Sequence, residues 1–444
     1  MLWAILSAMT AHPSPTYSKK VQNAWAMYDW ANSVYSLVIT TTIFPIFYNA
    51  MTTVRKEDGT LVSDVVTFWG VEFLNTQLYS YVLATSFLVI IFLSPLLSGM
   101  ADYAGKKLTF MKVFCYAGAA GCASMFFFNP THLEWSMASL FLANLGFWGS
   151  LGFYNAYLPE IAPPEEHDKL GARGYVMGYI GSVTLLLICL ALIMGVGNHL
   201  TKWAFVLVGV WWVGWAQPAF RTLPSNPYNQ RPEGNLLTQG FRELRGVAKD
   251  LQGELHLTRY LGAFFVMSMA IQTIMLMATS FGIKEVQLTT PELIVATLLV
   301  QIVAIPGAFL VAWLSGKVGN VTALGACILA WCGVCAYAYW FASTKEGFYV
   351  AAGVIGFMMG GTQSLNRSTY SKLLPETEDH ASYFSFYEVL EKSGLVIGMF
   401  GWGYIEGVTG SMRNSILALV GLFLIAFTVL RLVPKSHRGH LTPA

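Results

Sequence analysis

Apolar residues in this chain gather into twelve separated runs of about 20, the length that crosses a bilayer's hydrocarbon core as a helix. A basic stretch from Arg221 to Arg259 divides the runs six and six. They predict helices over 25–50, 77–100, 108–128, 135–158, 174–197 and 203–220, then 260–283, 292–315, 321–343, 347–369, 383–407 and 414–433. The expected fold class is an all-α integral membrane protein of twelve transmembrane helices in two pseudo-symmetric six-helix bundles. Its parts are an N-terminal tail (1–24), an N-terminal bundle (25–220), a linker (221–259), a C-terminal bundle (260–433) and a C-terminal tail (434–444).

Between the halves, Leu237, Phe241, Leu244, Ala248, Leu251 and Leu255 recur at helical steps, with Arg242, Arg245 and Lys249 among them and Asn235 placed as N-cap. That pattern predicts a basic amphipathic helix lying on a membrane face, for anchoring or for a partner. Met1 to Thr10 is apolar but too short to span, and no basic segment precedes it as in a signal peptide. It reads as an interfacial tail or a start-site artefact. Glycines at close helical spacing, such as Gly174 and Gly178 or Gly394 and Gly398, predict tight helix packing in lipid.

Composition narrows the class. The chain is 55% hydrophobic and 11% charged, against roughly a quarter charged in soluble domains. A net charge of +2 gives no nucleic-acid footprint. All six cysteines fall inside apolar runs. Cys332 and Cys335 have a redox or metal spacing but no His or polar partner nearby, so they read as packing residues. No metal, cofactor or disulfide is expected. Of the 26 Lys and Arg, nineteen fall on one side of the alternating spans, six on the other, and Lys392 within a span. The basic side is the cytoplasmic one, which places both termini in the cytoplasm of a cell-membrane protein and residues 51–76 in the largest outer loop.

Two echoes link the halves. Ser98–Lys107 (Ser-Gly-Met-Ala-Asp-Tyr-Ala-Gly-Lys-Lys) follows span 2, and a worn copy, Leu314–Asn320, follows span 8, with Gly319 lying 214 residues after Gly105. Leu158-Pro159-Glu160 after span 4 recurs as Leu374-Pro375-Glu376 after span 10. Duplicated halves of this kind place a binding site between them near the bilayer midplane.

The 98–107 stretch resembles the inner-loop signature of the major facilitator superfamily, matching at Ala101, Asp102, Gly105 and Lys107. Lys106 stands for an Arg, while Ser98, Met100 and Tyr103 depart. The resemblance implies the major facilitator fold, with Asp102, Gly105, Lys106 and Lys107 in an inner gate. Loss of the Arg at Tyr103 leaves the strength of that latch open. Three further stretches, Ala24–Ser33, Tyr154–Gly174 and Gly361–Lys392, are similar to the branch containing the autophagy-related vacuolar amino-acid effluxer of fungi and its bacterial members. It implies solute export, with amino acids or related metabolites as cargo.

Charges inside spans are expensive in lipid, about 2.5–3.5 kcal/mol each on insertion scales. Asp29, flanked by Tyr28 and Asn32, reads either as a protonatable or amine-binding group, or as a carboxylate at a helix N-terminus. Glu388 and Lys392 are four apart and Glu391 shares their face, which suits a structural salt bridge as well as coupling. Gln363, Asn366 and Arg367 end span 10, and Tyr154, Asn155 and Tyr157 end its counterpart, span 4. In the superfamily spans 1, 4, 7 and 10 line the cavity, so these are candidate binding groups. Arg367 is expected to face either the substrate or Glu388 and Glu391. Trp25, Trp69, Trp203, Trp211 and Trp402 near span ends read as interface anchors.

The function expected is a monomeric secondary active transporter that moves a small solute through the bilayer, coupled to protons. Drug and sugar carriers of the same superfamily are the alternatives, although the G-P-x-x-G-G and P-E-S-P-R patterns are absent. A channel, or a membrane-embedded enzyme, is the more distant one. The eight His are scattered through loops and tails, with no phosphate loop or zinc spacing.

Overall fold

The structure, a computed structural model, describes residues 17–55, 61–225, 235–409 and 411–433. Residues 1–16, 56–60 and 434–444 lie outside the described residues, and with them most of the expected N-terminal tail and all of the C-terminal one. The end of the former, residues 19–24, is already helical because its polar residues continue the first helix.

Among the described residues, and leaving aside the linker helix, twelve long helices follow in order: α1 Lys19–Thr52, α2 Asn75–Ala104, α3 Lys107–Ser124, α4 Leu133–Asn155, α5 His167–Val196, α6 Thr201–Thr222, α7 Leu255–Lys284, α8 Thr290–Val318, α9 Asn320–Phe341, α10 Lys345–Leu373, α11 His380–Thr409 and α12 Met412–Arg431. Ten are long and apolar enough to cross a membrane. The other two are α4, diluted by Gly, Ser, Asn and Trp, and α11, which carries Glu388, Glu391 and Lys392. Several helices start up to seven residues before the expected spans because polar first turns, such as His167–Arg173 of α5, continue the helix beyond its apolar run.

Helix pairing repeats between the halves. In the first, α1 packs on α5 and α6, α3 on α4 and α6, and α2 on α4; in the second, α7 packs on α11 and α12, α9 on α10 and α12, and α8 on α10. The halves meet where α2 lies against α11 and α5 against α8 and α10. Glycines permit the closest approaches. A Cβ on Gly356 or Gly360 of α10 would lie 2.3 or 2.1 Å from the carbonyl oxygens of Val300 or Ala304 on α8.

Two features were not legible in the pattern, and a third, the linker helix, was expected but packs differently. Tyr35–Ile43 within α1 is π-helical, a geometry that widens the turn and is frequent at functional sites. Two antiparallel hairpins, β1 Val54–Arg55 with β2 Leu61–Ser63 and β3 Val65–Phe68 with β4 Val71–Leu74, form the loop between α1 and α2. The linker helix Leu236–Gly253, capped by Asn235 Oδ1 accepting from the Leu237 N–H at 2.9 Å, packs on the end of α2. It buries Gly240, Val247 and Leu251 and leaves Leu237 and Phe241 exposed, so part of the expected apolar face turns inward to protein.

Candidate functional site

A cavity of about 590 Å³ lies between the halves. Its floor is built from Asp29 of α1, Asn155 of α4, Arg367 of α10 and Glu388 of α11, and its walls run along α1 to Pro45, α7 to Phe281 and α10 to Phe348. It therefore extends from mid-bundle toward the end carrying the hairpins. Below the floor, toward the α2–α3 turn, polar contacts tie the halves together.

Arg367 is 2% exposed and reaches across the halves to Asp29, Nη1 to Oδ2 at 3.3 Å. It also donates to Asn155 Oδ1 at 3.3 Å and to the Gly171 carbonyl at 2.9 Å. Its guanidinium lies 4.8 Å from the Trp25 ring centroid and 4.2 Å from that of Tyr175, a cation–π arrangement suited to a planar cation. Asp29 takes a further hydrogen bond from the Tyr154 hydroxyl at 2.7 Å. Removing two charges from water is costly, and only several partners on each ion repay it. Gly174 makes room: a Cβ there would lie 2.5 Å from Asp29 Oδ2.

The polar chain continues without a break. Asn155 Nδ2 donates to Glu388 Oε1 at 3.0 Å. Lys392 stands 3.4 Å from Glu388 Oε2, bonds to Glu391, and sits 3.5 Å over the Trp148 ring of the other half. Gln272 of α7 donates to Glu391 Oε1 at 2.9 Å. Six helices thus share one network, with three acids and two bases.

At the closed end Asp102 accepts the Ala381 and Ser382 N–H groups, at 3.2 and 2.6 Å, at the start of α11. Gly105 caps α2 with φ of +61°, a left-handed turn that favours glycine. Lys107 is buried against Glu160, which His380 of the other half also meets at 3.1 Å. Burial pushes the Glu160 carboxyl up, but Lys107 and His380 outweigh it and hold it below its ordinary value. Asp168 accepts from Ser315 and Asn320 and pairs with Lys372, each at 2.7 Å. The worn repeat thus supplies donors, Ser315 and Asn320, to an acid from the opposite half, while the 98–107 repeat supplies the acid itself.

A family model described as "Vacuole effluxer Atg22 like" matches residues 17–169 and 162–440. The chain belongs to this family. An uncharacterised major-facilitator-type transporter of Bacillus subtilis, YxiO, is 29% identical over 428 residues, 94% of this chain and 95% of its own. Autophagy-related protein 22 of Yarrowia lipolytica is 23% identical over 84% of this chain and 79% of its own. Among solved structures, the proton:xylose symporter XylE (TM-score 0.70, 12% identity, 95% of this chain and 97% of that one) has the same fold. So does FucP in its outward conformation (0.69, 14%, 94% and 98%). The Atg22-like chain therefore has the major facilitator fold.

Of the residues singled out from the Atg22-like sequence, Asp29, Asn32, Asn155, Gln363, Arg367, Glu388 and Glu391 line the cavity. Tyr154 and Lys392 support it from behind through Asp29 and Glu391. Three stand elsewhere. Tyr28 packs with Tyr154 and Phe220 inside the first bundle, Tyr157 donates to the Pro224 carbonyl at the closed end, and Asn366 is buried beside Tyr260. Arg367 pairs with Asp29 rather than with Glu388 or Glu391, because α10 faces α1 across the bundle at that level. Trp25 is fully buried against Tyr154 and donates to its carbonyl at 2.9 Å, so it is a site residue and not an interface anchor. Trp402 likewise lines the cavity. Trp148, Tyr175 and Gln272 carried no sequence signal beyond their place on these helices, and Asp168 lay outside the expected spans.

Proposed function

We propose that this protein is a secondary active transporter that exports a small solute, amino acids or related metabolites, by alternating access coupled to protons. One observation carries the reading: a cavity with a charged, polar floor between two repeated bundles, tied shut at one end by contacts that cross the halves and extending toward the other. The tied end is the cytoplasmic one on the Lys and Arg bias, with the chain acting as a monomer in the cell membrane. A proton gradient suits the cargo because the floor holds carboxylates and the chain has no nucleotide-binding loop. Binding between repeats, near midplane charges, is how such folds expose one site to each side in turn.

Exchange of labelled L-leucine in vesicles carrying the purified chain tests this. Saturable exchange, accelerated by unlabelled leucine on the far side, supports the reading. Flux that rises linearly with concentration and ignores solute on the far side contradicts it.

A further inference from the structure

The floor network does not balance. Asp29, Glu388 and Glu391 face Arg367 and Lys392, which leaves one carboxylate in excess on the cavity floor. Arg367 is committed to Asp29, Asn155 and the Gly171 carbonyl. Lys392 lies over Trp148 and bonds to Glu391. Glu388 Oε2, buried and bordering the cavity, accepts no hydrogen bond among the described residues. Glu391 is the more open of the pair, its side chain 17% exposed. A surplus buried carboxylate must hold a proton or meet a cation.

We propose that the cavity takes a solute bearing an ammonium group, held by Glu391 and Glu388 in place of a proton, so that solute and proton exclude one another. The inference rests on the transport reading above and names the chemistry of its cargo. In the empty cavity one proton is bonded to a Glu oxygen and neutralises the excess. An arriving ammonium forms an ion pair with the carboxylate, the O–H bond breaks, and that proton passes to water at the open end. Rings of Tyr175, Tyr387 and Trp148 around the acids suit an ammonium further. Exchange of one cation for the other gives export driven by inward proton movement without any additional site.

The charged and titratable groups facing the two acids are Lys392 and Tyr387 on α11, Arg367 on α10, Asp29 on α1 and Tyr175 on α5, while α7 presents the neutral Gln272. From α4 and α2 the cavity receives neutral side chains only, such as Asn155, Trp148 and Phe87. Among these, the Glu388–Glu391 pair alone has an acid without a base of its own.

Calorimetry on the purified full chain tests it with three probes of one skeleton: L-leucine, isoamylamine, which lacks the carboxylate, and isocaproate, which lacks the amine. Each is titrated in phosphate and in Tris at equal pH. L-leucine and isoamylamine should bind with heats that differ between buffers by one released proton, and their affinity should weaken about tenfold per pH unit on the acid side. Isocaproate should bind at least about tenfold more weakly and release none. Glu391→Gln and Glu388→Gln should each abolish proton release; if either variant fails to fold, the wild-type buffer comparison decides alone. L-leucine bound with identical heats in both buffers, or isocaproate bound as tightly as isoamylamine, overturns the inference and leaves the transport reading standing. Failure of all three probes while D-xylose binds removes the amino-acid reading and this inference with it.

Discussion

Arg367 of α10 and Asp29 of α1 meet at 3.3 Å across the two halves, and they are the charge centre of the cavity floor. The pair is 338 residues apart in sequence. Each ion depends on the other for its place inside the bundle. Asp29→Asn leaves a buried guanidinium short of its counter-ion, and Arg367→Gln leaves a buried carboxylate. Each should cost about 3–5 kcal/mol. The double variant should recover much of that loss, because neither charge remains unpaired. Thermal unfolding of the three variants in detergent checks this, and additive losses would count against a true pair.

Gly174 gives an independent route to the same pair. A methyl group there would press on Asp29 Oδ2 and Arg367 Nη2, at 2.5 and 2.8 Å. Gly174→Ala should therefore destabilise by about 1–3 kcal/mol and sharply lower transport. Gly195→Ala, on the same helix with nothing within 4 Å of its added carbon, should do neither. Melting curves and vesicle uptake compared side by side check both.

How far the sequence reaches follows from the solvent. Lipid demands long apolar helices, so the spans are plain, and it penalises charge, so Asp29, Glu388, Glu391 and Lys392 stand out against it. The repeat echoes predicted a site between halves, where the cavity lies. What periodicity does not carry is which helix faces which. Of the two readings of Arg367, its place on the cavity agrees with the structure, while the pairing with Glu388 or Glu391 gives way to Asp29. Trp25 looks like an interface anchor because aromatic residues near span ends usually are, and only the packing of α1 against α4 turns it inward. Asp168 sits in a polar stretch that reads as loop, yet it is 6% exposed once α8, α9 and α10 close over it.

The closed end should open when its acids are neutralised. Asp168→Asn removes the charge that holds Lys372, and Asp102→Asn weakens the bonds to the start of α11. Charge-assisted bonds of this kind contribute roughly 1.5–3 kcal/mol. Either change should raise the maleimide reactivity of Ser382→Cys, a buried reporter at this interface, about tenfold or more at that energy. Solute affinity should change little, since neither acid borders the cavity. Timed labelling with mass detection checks the first point and calorimetry the second.

Asp379, in the turn between α10 and α11, adds a pH dependence. Burial, then Glu243 of the linker helix together with Asp102 and Glu378, pushes its carboxyl from an ordinary 3.8 up to about 8. A raised carboxylate favours the folded state while it is protonated. Its contribution is thus fully present below about pH 4 and is lost as pH rises toward 8. Between about pH 5 and 8 the melting temperature of the wild type should fall more than that of Asp379→Asn. Equal slopes would show that this carboxyl does not titrate there.

Alternating access is the central claim, and paired spin-label distances test it most directly. One pair, at Glu165 and Glu376, reports the closed end; the other, at Thr131 and Ser343, reports the opposite end, and all four positions are exposed. In vesicles turning over L-leucine under a pH gradient, the first pair should gain a longer-distance population while the second gains a shorter one. The two populations should grow in proportion. Measurable leucine flux with both distances unchanged would contradict the account.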